Sequence, residues 1–406
     1  MTSPRAQAIA ILAGTPPGER TQPAIGPAGS DARDDALVRE LVAGANLHYR
    51  LYDHLAARFL QPRPQPPLLT MALRVGCHQL FALDRVPPHA AVSETVAGLR
   101  DAGGPKLVSV ANAVLRRLSE LRLDARDGDS GPVGRLRLEV RPGDSGLAHS
   151  LPALLVRELA PLLDADPARR LSDLNRRAPL CTRTRPRRPD PIGHSILRRD
   201  GPWTWWEDPA EALAWVADGV CMVQDRSQGE VADLAASVGL AGPGTLVLDL
   251  CAAPGGKSLA LADIGCRVVA ADASRERLRD LDTLVHDLPL RLAQDGLHPA
   301  LAQAFDVVLV DAPCSNSGVF ARRPEAKQRY DERHLASLAT IQRGLLTSAA
   351  GLARPDGRLI YATCSLSPAE NQGIAHTLPG WRLLGERLRW PDAWSGGGYA
   401  AVLVRA

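Results

Sequence analysis

The 406-residue chain has no apolar run long enough to span a bilayer and no N-terminal signal pattern. No membrane partner is therefore expected, and the expected compartment is the cytoplasm. Its seven cysteines, at 77, 181, 221, 251, 266, 314 and 364, are scattered, and no two form a Cys-x-x-Cys pair. That spacing argues against a zinc site or a disulfide framework, so no metal is expected and the thiols are either buried or catalytic. Charge of one sign is lacking too: 48 Lys and Arg stand against 45 Asp and Glu, a net of +3 that identifies no nucleic-acid partner by itself. The common phosphate-binding glycine fingerprints are also missing. The glycine-rich turn over Asp249–Ser258 is not Gly-x-Gly-x-x-Gly, and Cys251 stands where a P-loop needs glycine. Dinucleotide and ATP-phosphate sites are disfavoured accordingly.

What is present is ordinary globular material, 45% hydrophobic and 23% charged, in a chain long enough for two or three domains. In the N-terminal third, Leu37, Leu41, Leu47, Leu51, Leu55 and Phe59 recur at helical spacing and mark one apolar face. Further helical stretches run over Leu68–Leu80, Val92–Leu99 and Lys106–Leu121, so this third is expected to be an all-α bundle, with 13–33 a loose loop. Residues 125–149 read as a linker, and a helical pattern returns from Leu151 to Leu174. From Thr245 onward short apolar runs, Leu246–Leu250, Val268–Ala271, Val307–Val310 and Leu359–Ala362, alternate with helical stretches over Lys257–Ile264, Ser274–Val285 and His334–Leu352. That alternation predicts a doubly wound α/β sheet.

Between these parts, Arg176–Arg199 holds eight arginines against one acid, Asp190. It is either a phosphate-contacting surface or a solvated, proline-interrupted loop. Trp203, Trp205, Trp206 and Trp215 follow, and either stack on unpaired bases or pack a small domain that lacks other bulk. In the α/β part, strand, glycine turn and helix form an arrangement that brings backbone close to a ligand, and Asp272, after the next strand, is placed to hold ribose hydroxyls. Cys314, in Asp311-Ala312-Pro313-Cys314-Ser315, and Cys364, in Tyr361-Ala362-Thr363-Cys364-Ser365, each follow a predicted strand where α/β folds put active sites. Cys251 and Cys266 read instead as small buried apolar side chains.

The two cysteine motifs with the Asp249–Ser258 turn resemble the Sun/Fmu (NOL/NOP/Sun) RNA cytosine-C5 methyltransferases. The blocks Ala72–Leu80, Asp84–Val92, Gly103–Lys106 and Asn112–Arg117 resemble the NusB-like RNA-binding module that precedes the catalytic domain in the bacterial small-subunit ribosomal RNA enzymes of that family. The resemblance implies a multidomain protein: a NusB-like helical domain over 1–125, a linker over 126–149, a small α+β RNA-binding subdomain over 150–222, and a Rossmann-like methyltransferase domain over 223–406. Its cofactor would be S-adenosylmethionine, held by Asp249 and the turn Cys251, Ala252, Ala253, Pro254, Gly255, Gly256 and Lys257, by Asp272 at the ribose, by Asp295 at the adenine, and by Asp311. Asp295 also reads as a surface or capping aspartate, and Lys257 also as an exposed lysine. Gln224–Gln228 resembles a block near the cofactor, and Arg322–Lys327 one that faces RNA.

Cytosine C5 is too weak a nucleophile to attack a sulfonium methyl directly, and adding a thiolate to C6 activates it. The resemblance implies Cys364 as that nucleophile, Cys314 as the group that assists release, and Asp311 as the contact to the cytosine edge. The implied substrate is RNA, most of all 16S ribosomal RNA, with no obligate protein partner. Two rivals are the same chemistry on transfer RNA and a non-catalytic RNA-binding assembly factor. The chain departs from the family pattern at Asn316 and Ser317, after Pro-Cys-Ser, and at Gly396–Ala401, where Asp-Gly-Phe-Phe is usual.

Overall fold

A computed structural model describes residues 2–21, 31–121, 145–164, 166–240, 242–284 and 290–406. They form two compact units: Met1–Asn175 with Arg322–Tyr330, and Arg176–Ala321 with Asp331–Ala406. Among the described residues no helix is long and apolar enough to cross a membrane.

The first unit is helical: α1 Pro4–Gly14, α2 Ala32–Leu47, α3 Tyr49–Ala57, α4 Pro67–Ala82, α5 Pro88–Asp101, α6 Val108–Ser119, α7 Ser145–Ala148, α8 Ala153–Leu159 and α9 Pro167–Asp173. Local chemistry sets many of the starts. Ser3 caps α1 and Asp31 caps α2, while α1, α4, α5 and α9 carry proline in their first turn, where its missing N–H costs nothing. The expected loop over 13–33 is narrower than the sequence suggests. Its first residues end α1 and its last begin α2, while 22–30, like most of the expected linker 126–149, lie outside the described residues. The apolar face from Leu37 to Phe59 is split between two helices, because the backbone leaves the helical region at His48 (φ −113°, ψ 21°).

The core of this unit joins Ile9, Leu41, Leu51, Tyr52, Leu55, Ala72, Leu99 and Leu115, all fully buried. Polar groups inside it are paired. His78 meets Tyr52 Oη at 3.2 Å and Glu40 at 3.0 Å, the amide of Gln79 donates to Thr95 at 2.7 Å, and Arg74 holds Asp53 through two bonds of 2.8 and 2.6 Å. A Cβ at Gly44 would lie 2.0 Å from the His78 ring, so only glycine lets α2 pass there.

The second unit holds two sheets. The smaller is antiparallel in the order β2-β3-β1-β4, from β1 Leu180–Thr184, β2 Ile196–Asp200, β3 Trp203–Trp206 and β4 Cys221–Val223, with α10 Pro209–Ala217 against it. The tryptophans of β3 are its filling. Trp203, Trp205 and Trp206 are buried, Trp206 Nε1 donates to Thr182 at 2.9 Å, and Trp205 meets Trp394 edge-on at 6.0 Å. Packing, not base stacking, is their role.

The larger sheet runs β10-β11-β9-β8-β5-β6-β7, from β5 Leu246–Asp249, β6 Arg267–Asp272, β7 Leu290–Ala293, β8 Phe305–Asp311, β9 Ala353–Thr363, β10 Trp381–Arg389 and β11 Gly398–Arg405. Strands β5 to β9 pair in parallel, and β11 joins β9 and β10 antiparallel. One face packs Val247, Leu309 and Ile360 with Val231 and Leu234 of α11 (Arg226–Ser237) and Leu259 of α12 (Gly256–Asp263). The other packs Leu248, Val308 and Tyr361 with Leu345 and Leu346 of α14, Glu332–Leu352; helix α13, Arg275–Leu284, lies between β6 and β7 in the chain. Burial on both faces explains the continuous apolar strands. In this sheet the sequence reading misses β7 and β10, which carry charges, and β11, an apolar run behind leading glycines.

Arg322–Lys327, expected to face RNA, clusters with the first unit, and its last four residues, Pro324–Lys327, are buried. Lys327 is 1% exposed, and its ammonium donates to the Leu47 carbonyl at 2.7 Å and to Asn175 Oδ1 at 2.5 Å. The Leu47 carbonyl is among those a helix end leaves open, so the lysine completes the C-terminus of α2. Burial pushes the Lys327 amine well below its ordinary value, with Arg50 adding to the effect. Replacing Lys327 with alanine strands both acceptors, and a loss of about 1–3 kcal/mol in urea unfolding is expected. A loss under about 0.5 kcal/mol, the range of ordinary surface changes, would contradict this account.

Candidate active site

From β5 the chain proceeds to β6 and β7 on one side, then returns to β8 and β9 on the other. The strand order therefore reverses beside β5, and a crevice is expected at the carboxyl ends of β5 and β8. Asp249 ends β5, Asp272 ends β6 and Asp311 ends β8, while Cys314 and Cys364 follow β8 and β9.

The glycine turn leads from β5 into α12. Gly255, in the left-handed region at φ +98°, caps the helix, a conformation that favours glycine. Asp249 is fully buried and accepts from Ser258 Oγ at 2.6 Å through Oδ2; its Oδ1 is buried with no hydrogen-bond partner among the described residues. Burial pushes the Asp249 carboxyl up to about 7, against the pull of Ser258. Asp272 accepts from the backbone of Ala253 at 3.1 Å and of Ser274 at 2.9 Å, tying the turn to the start of α13. Cys251 is half-buried, and desolvation pushes its thiol up, as suits a thiol that packs. Lys257 is 6% exposed and donates to Asp311 Oδ2 at 2.6 Å and to Gln228. Burial works against its charge, but Asp311, with the charges of Cys364 and Asp249, outweighs that and holds the amine above its ordinary value.

The two cysteines meet: Cys314 Sγ lies 3.1 Å from Cys364 Sγ. On the Cys364 side, Sγ lies 3.2 Å from Asn316 Oδ1, while Asn316 Nδ2 donates to the Cys314 carbonyl at 3.0 Å. Asn316 holds φ +61°, which asparagine tolerates better than most residues, so it keeps the turn a glycine would make and adds a side chain. The hydrogen bond with Cys364, then desolvation, then the charges of Cys364 and Glu370 push the Cys314 thiol well above its ordinary value. The C-terminal glycines close over this loop. Gly397 N–H donates to the Gly318 carbonyl at 2.7 Å and Gly318 N–H to the Cys364 carbonyl at 2.9 Å, and a Cβ on Gly318 would lie 2.7 Å from the Gly397 backbone.

Glu370 went unnoticed in the sequence. It is fully buried, accepts from Ser315 N–H at 2.8 Å, Ser315 Oγ at 2.5 Å, Ser365 Oγ at 2.6 Å and Gln342 at 3.0 Å, and so grips the serine after each cysteine. Asn371 adds a bond from Thr363 Oγ1 at 2.7 Å and one to the Ser365 carbonyl at 3.0 Å. Spacing from the cysteines did not mark Glu370, because Ser315 reaches it from the loop after β8 and Gln342 from α14, with Ser365 its one partner nearby in sequence.

Gln224–Gln228 does reach the turn: Gln224 donates to the Gly256 carbonyl at 2.9 Å, and Gln228 meets Lys257. Asp295, by contrast, is exposed two residues past β7, accepting from Leu297 N–H at 2.9 Å and pairing with His298 at 3.0 Å. Of the arginines in 176–199, Arg183 and Arg185 turn inward to Asp263 at 2.7 and 3.2 Å, and Arg198 lies over the Trp205 and Trp394 rings.

Residues 241–379 match the family described as 16S rRNA methyltransferase RsmB/F, and residues 4–120 match the NusB family. The chain is 35% identical over 361 residues to the ribosomal RNA small subunit methyltransferase B of Xanthomonas campestris pv. campestris, covering 85% of this chain and 79% of that one. It is 34% identical over 364 residues to the methyltransferase Rv1407 of Mycobacterium tuberculosis, covering 85% and 78%. In fold it resembles the crystal structure of PH0851, with a TM-score of 0.73 at 20% identity over 99% of this chain and 98% of the other. With its NusB-type helical unit and its doubly wound sheet, the chain belongs to the RsmB/F family of S-adenosylmethionine-dependent RNA methyltransferases.

Proposed function

We propose that the chain methylates C5 of a cytosine in small-subunit (16S) ribosomal RNA through a covalent bond between Cys364 and C6. The observation that carries this reading is the 3.1 Å approach of the two thiols beside the Asp311–Lys257 pair. Two relatives named ribosomal RNA small subunit methyltransferase B, together with the NusB match, support the choice of RNA. In this reading residues 1–125 and 150–222 hold RNA, residues 223–406 are the catalytic domain, and the protein works in the cytoplasm with its substrate.

The cofactor fits the donor set. S-adenosylmethionine carries an ammonium at its amino-acid end, and Asp249 Oδ1 is a buried acceptor with no partner among the described residues. Asp249 and the backbone of Cys251–Lys257 would hold that end, Asp272 the ribose, and Asp295 the adenine. When bound, the cofactor supplies an electrophilic methyl group.

The chain's own residues then act in order. Cys364, as thiolate, adds to C6, and the electrons of the C5–C6 double bond become available at C5. Asp311, fixed by Lys257, meets the N3 and N4 edge of the base as charge gathers there. After C5 is methylated its proton passes to a water molecule acting as base, the C6–S bond breaks, the double bond re-forms, and the thiolate returns to Cys364. Cys314, at hydrogen-bond distance from that sulfur, assists this elimination. The base must leave its stack to reach the thiol, so an unpaired or flipped nucleotide is the substrate.

Two outcomes are expected. Wild type should form 5-methylcytidine in deproteinised small-subunit RNA or in subunit precursors, read by nucleoside mass spectrometry, and Cys364→Ala should lose at least about 100-fold in rate. Binding of S-adenosylhomocysteine should also depend on pH. The Asp249 carboxyl titrates at about 7, and the ligand's ammonium favours the carboxylate, so affinity falls as pH drops through that value. Calorimetry should show about tenfold weaker binding at about pH 6 than at about pH 8, and Asp249→Asn should flatten the profile. A wild-type profile with no such slope would remove Asp249 from the ligand's amino-acid end.

A further inference from the structure

Glu370 is a carboxylate buried to 0% exposure, and among the described residues no lysine, arginine or histidine lies within ion-pair distance of it. A charge in such a place is costly unless every lone pair is used. Here it accepts four hydrogen bonds, three of them from the serines that directly follow the two cysteines. The fourth donor, Gln342, also donates to the Pro313 carbonyl at 2.9 Å, so the residue before Cys314 is held by the same cluster. Tyr361 Oη donates to the Glu370 carbonyl at 2.7 Å, fixing the backbone that carries the acid.

We propose that Glu370 is a positioning residue, which fastens the Cys314 and Cys364 loops together and, by lodging its negative charge behind Cys314, reserves the thiolate role for Cys364. The proposal deepens the covalent reading above and rests on it for its consequence, although the arrangement itself is a property of the free protein. Two thiols 3.1 Å apart cannot both ionise readily, so something must decide which one does. The charge of Glu370 bears on Cys314 and helps push its thiol up. The other titratable groups around the pair are Tyr361, whose hydroxyl is itself pushed up mainly by burial, and the Asp311–Lys257 pair, whose ammonium interacts with Cys364. Cys314 is thereby kept as a neutral thiol at hydrogen-bond distance from the sulfur of Cys364, where it supports the departure of that sulfur as a thiolate.

The test needs neither RNA nor cofactor. Wild type, Glu370→Gln and Glu370→Asp are treated with iodoacetamide from about pH 6 to about pH 10, and labelling of each cysteine is read by peptide mass spectrometry against the same peptides in denaturant. Thermal unfolding is followed in parallel. In wild type Cys364 should be labelled first. In Glu370→Gln the ratio of Cys314 to Cys364 labelling should rise at least about threefold near neutral pH. Glu370→Asp, which keeps the charge, should preserve the wild-type order. A folded Glu370→Gln protein with an unchanged ratio would overturn the proposal. So would faster labelling of Cys314 in wild type, an outcome that stands even where Glu370→Gln does not fold. If Glu370→Gln is unfolded, the Asp variant decides, and loss of the labelling order there counts against the charge. The expected labelling without any RNA methylation would leave Glu370 in place and remove the cytosine reading, and methylation with the wrong labelling order would do the reverse.

Discussion

Strands β5, β8 and β9 lie side by side and parallel, so their carboxyl ends open on one edge of the sheet. A parallel sheet leaves the chain no choice in this, because each strand must be followed by a crossover that returns to the opposite edge. Every reactive group of the site is a consequence. Asp249 and Asp311 end two of these strands, Cys314 and Cys364 follow within three residues of a strand end, and the glycine turn begins α12 where the strand order reverses. Side chains 50 or more residues apart in sequence thereby come within 3.1 Å of each other.

The electrostatics follow from the same crowding. Asp249, Asp272, Asp311 and Glu370 cluster at or behind this edge, with Lys257 the ammonium held among them. Each acid is satisfied differently. Asp272 takes backbone N–H groups, Asp311 takes the lysine, Glu370 takes hydroxyls, an amide and a backbone N–H, and Asp249 is left with one oxygen unused. Burial raises the Asp249 carboxyl, against the pull of Ser258 and of the Cys251 backbone.

Much of this was legible in the sequence, because buried parallel strands are written as continuous apolar runs and the site sits at their ends. Of the strands of this sheet that escaped, β7 and β10 lie at its edges, where charges break the pattern, β10 carrying Arg382, Glu386, Arg387 and Arg389; β11 is an unbroken apolar run, Tyr399–Val404, that the reading passed over behind its leading glycines. Motif chemistry located Cys314, Cys364, Asp311 and the turn, but motifs carry no information on burial. So Lys327, a basic residue in a basic segment, reads as a surface group and is in fact sealed against Leu47 and Asn175. Glu370 shows the same gap in reverse, being an acid that no spacing rule connects to Ser315 or Gln342 until the sheet brings them together.

The central claim is that Cys364 bonds to the target base while Cys314 serves its departure. The most direct measurement is to incubate Cys314→Ala protein with small-subunit RNA and S-adenosylmethionine, digest with nuclease and protease, and locate the nucleotide remnant by mass spectrometry. The account predicts an accumulated adduct on the peptide carrying Cys364, carried by a methylated cytidine. A remnant on any other cysteine, or none from a protein that still methylates the RNA, would contradict it.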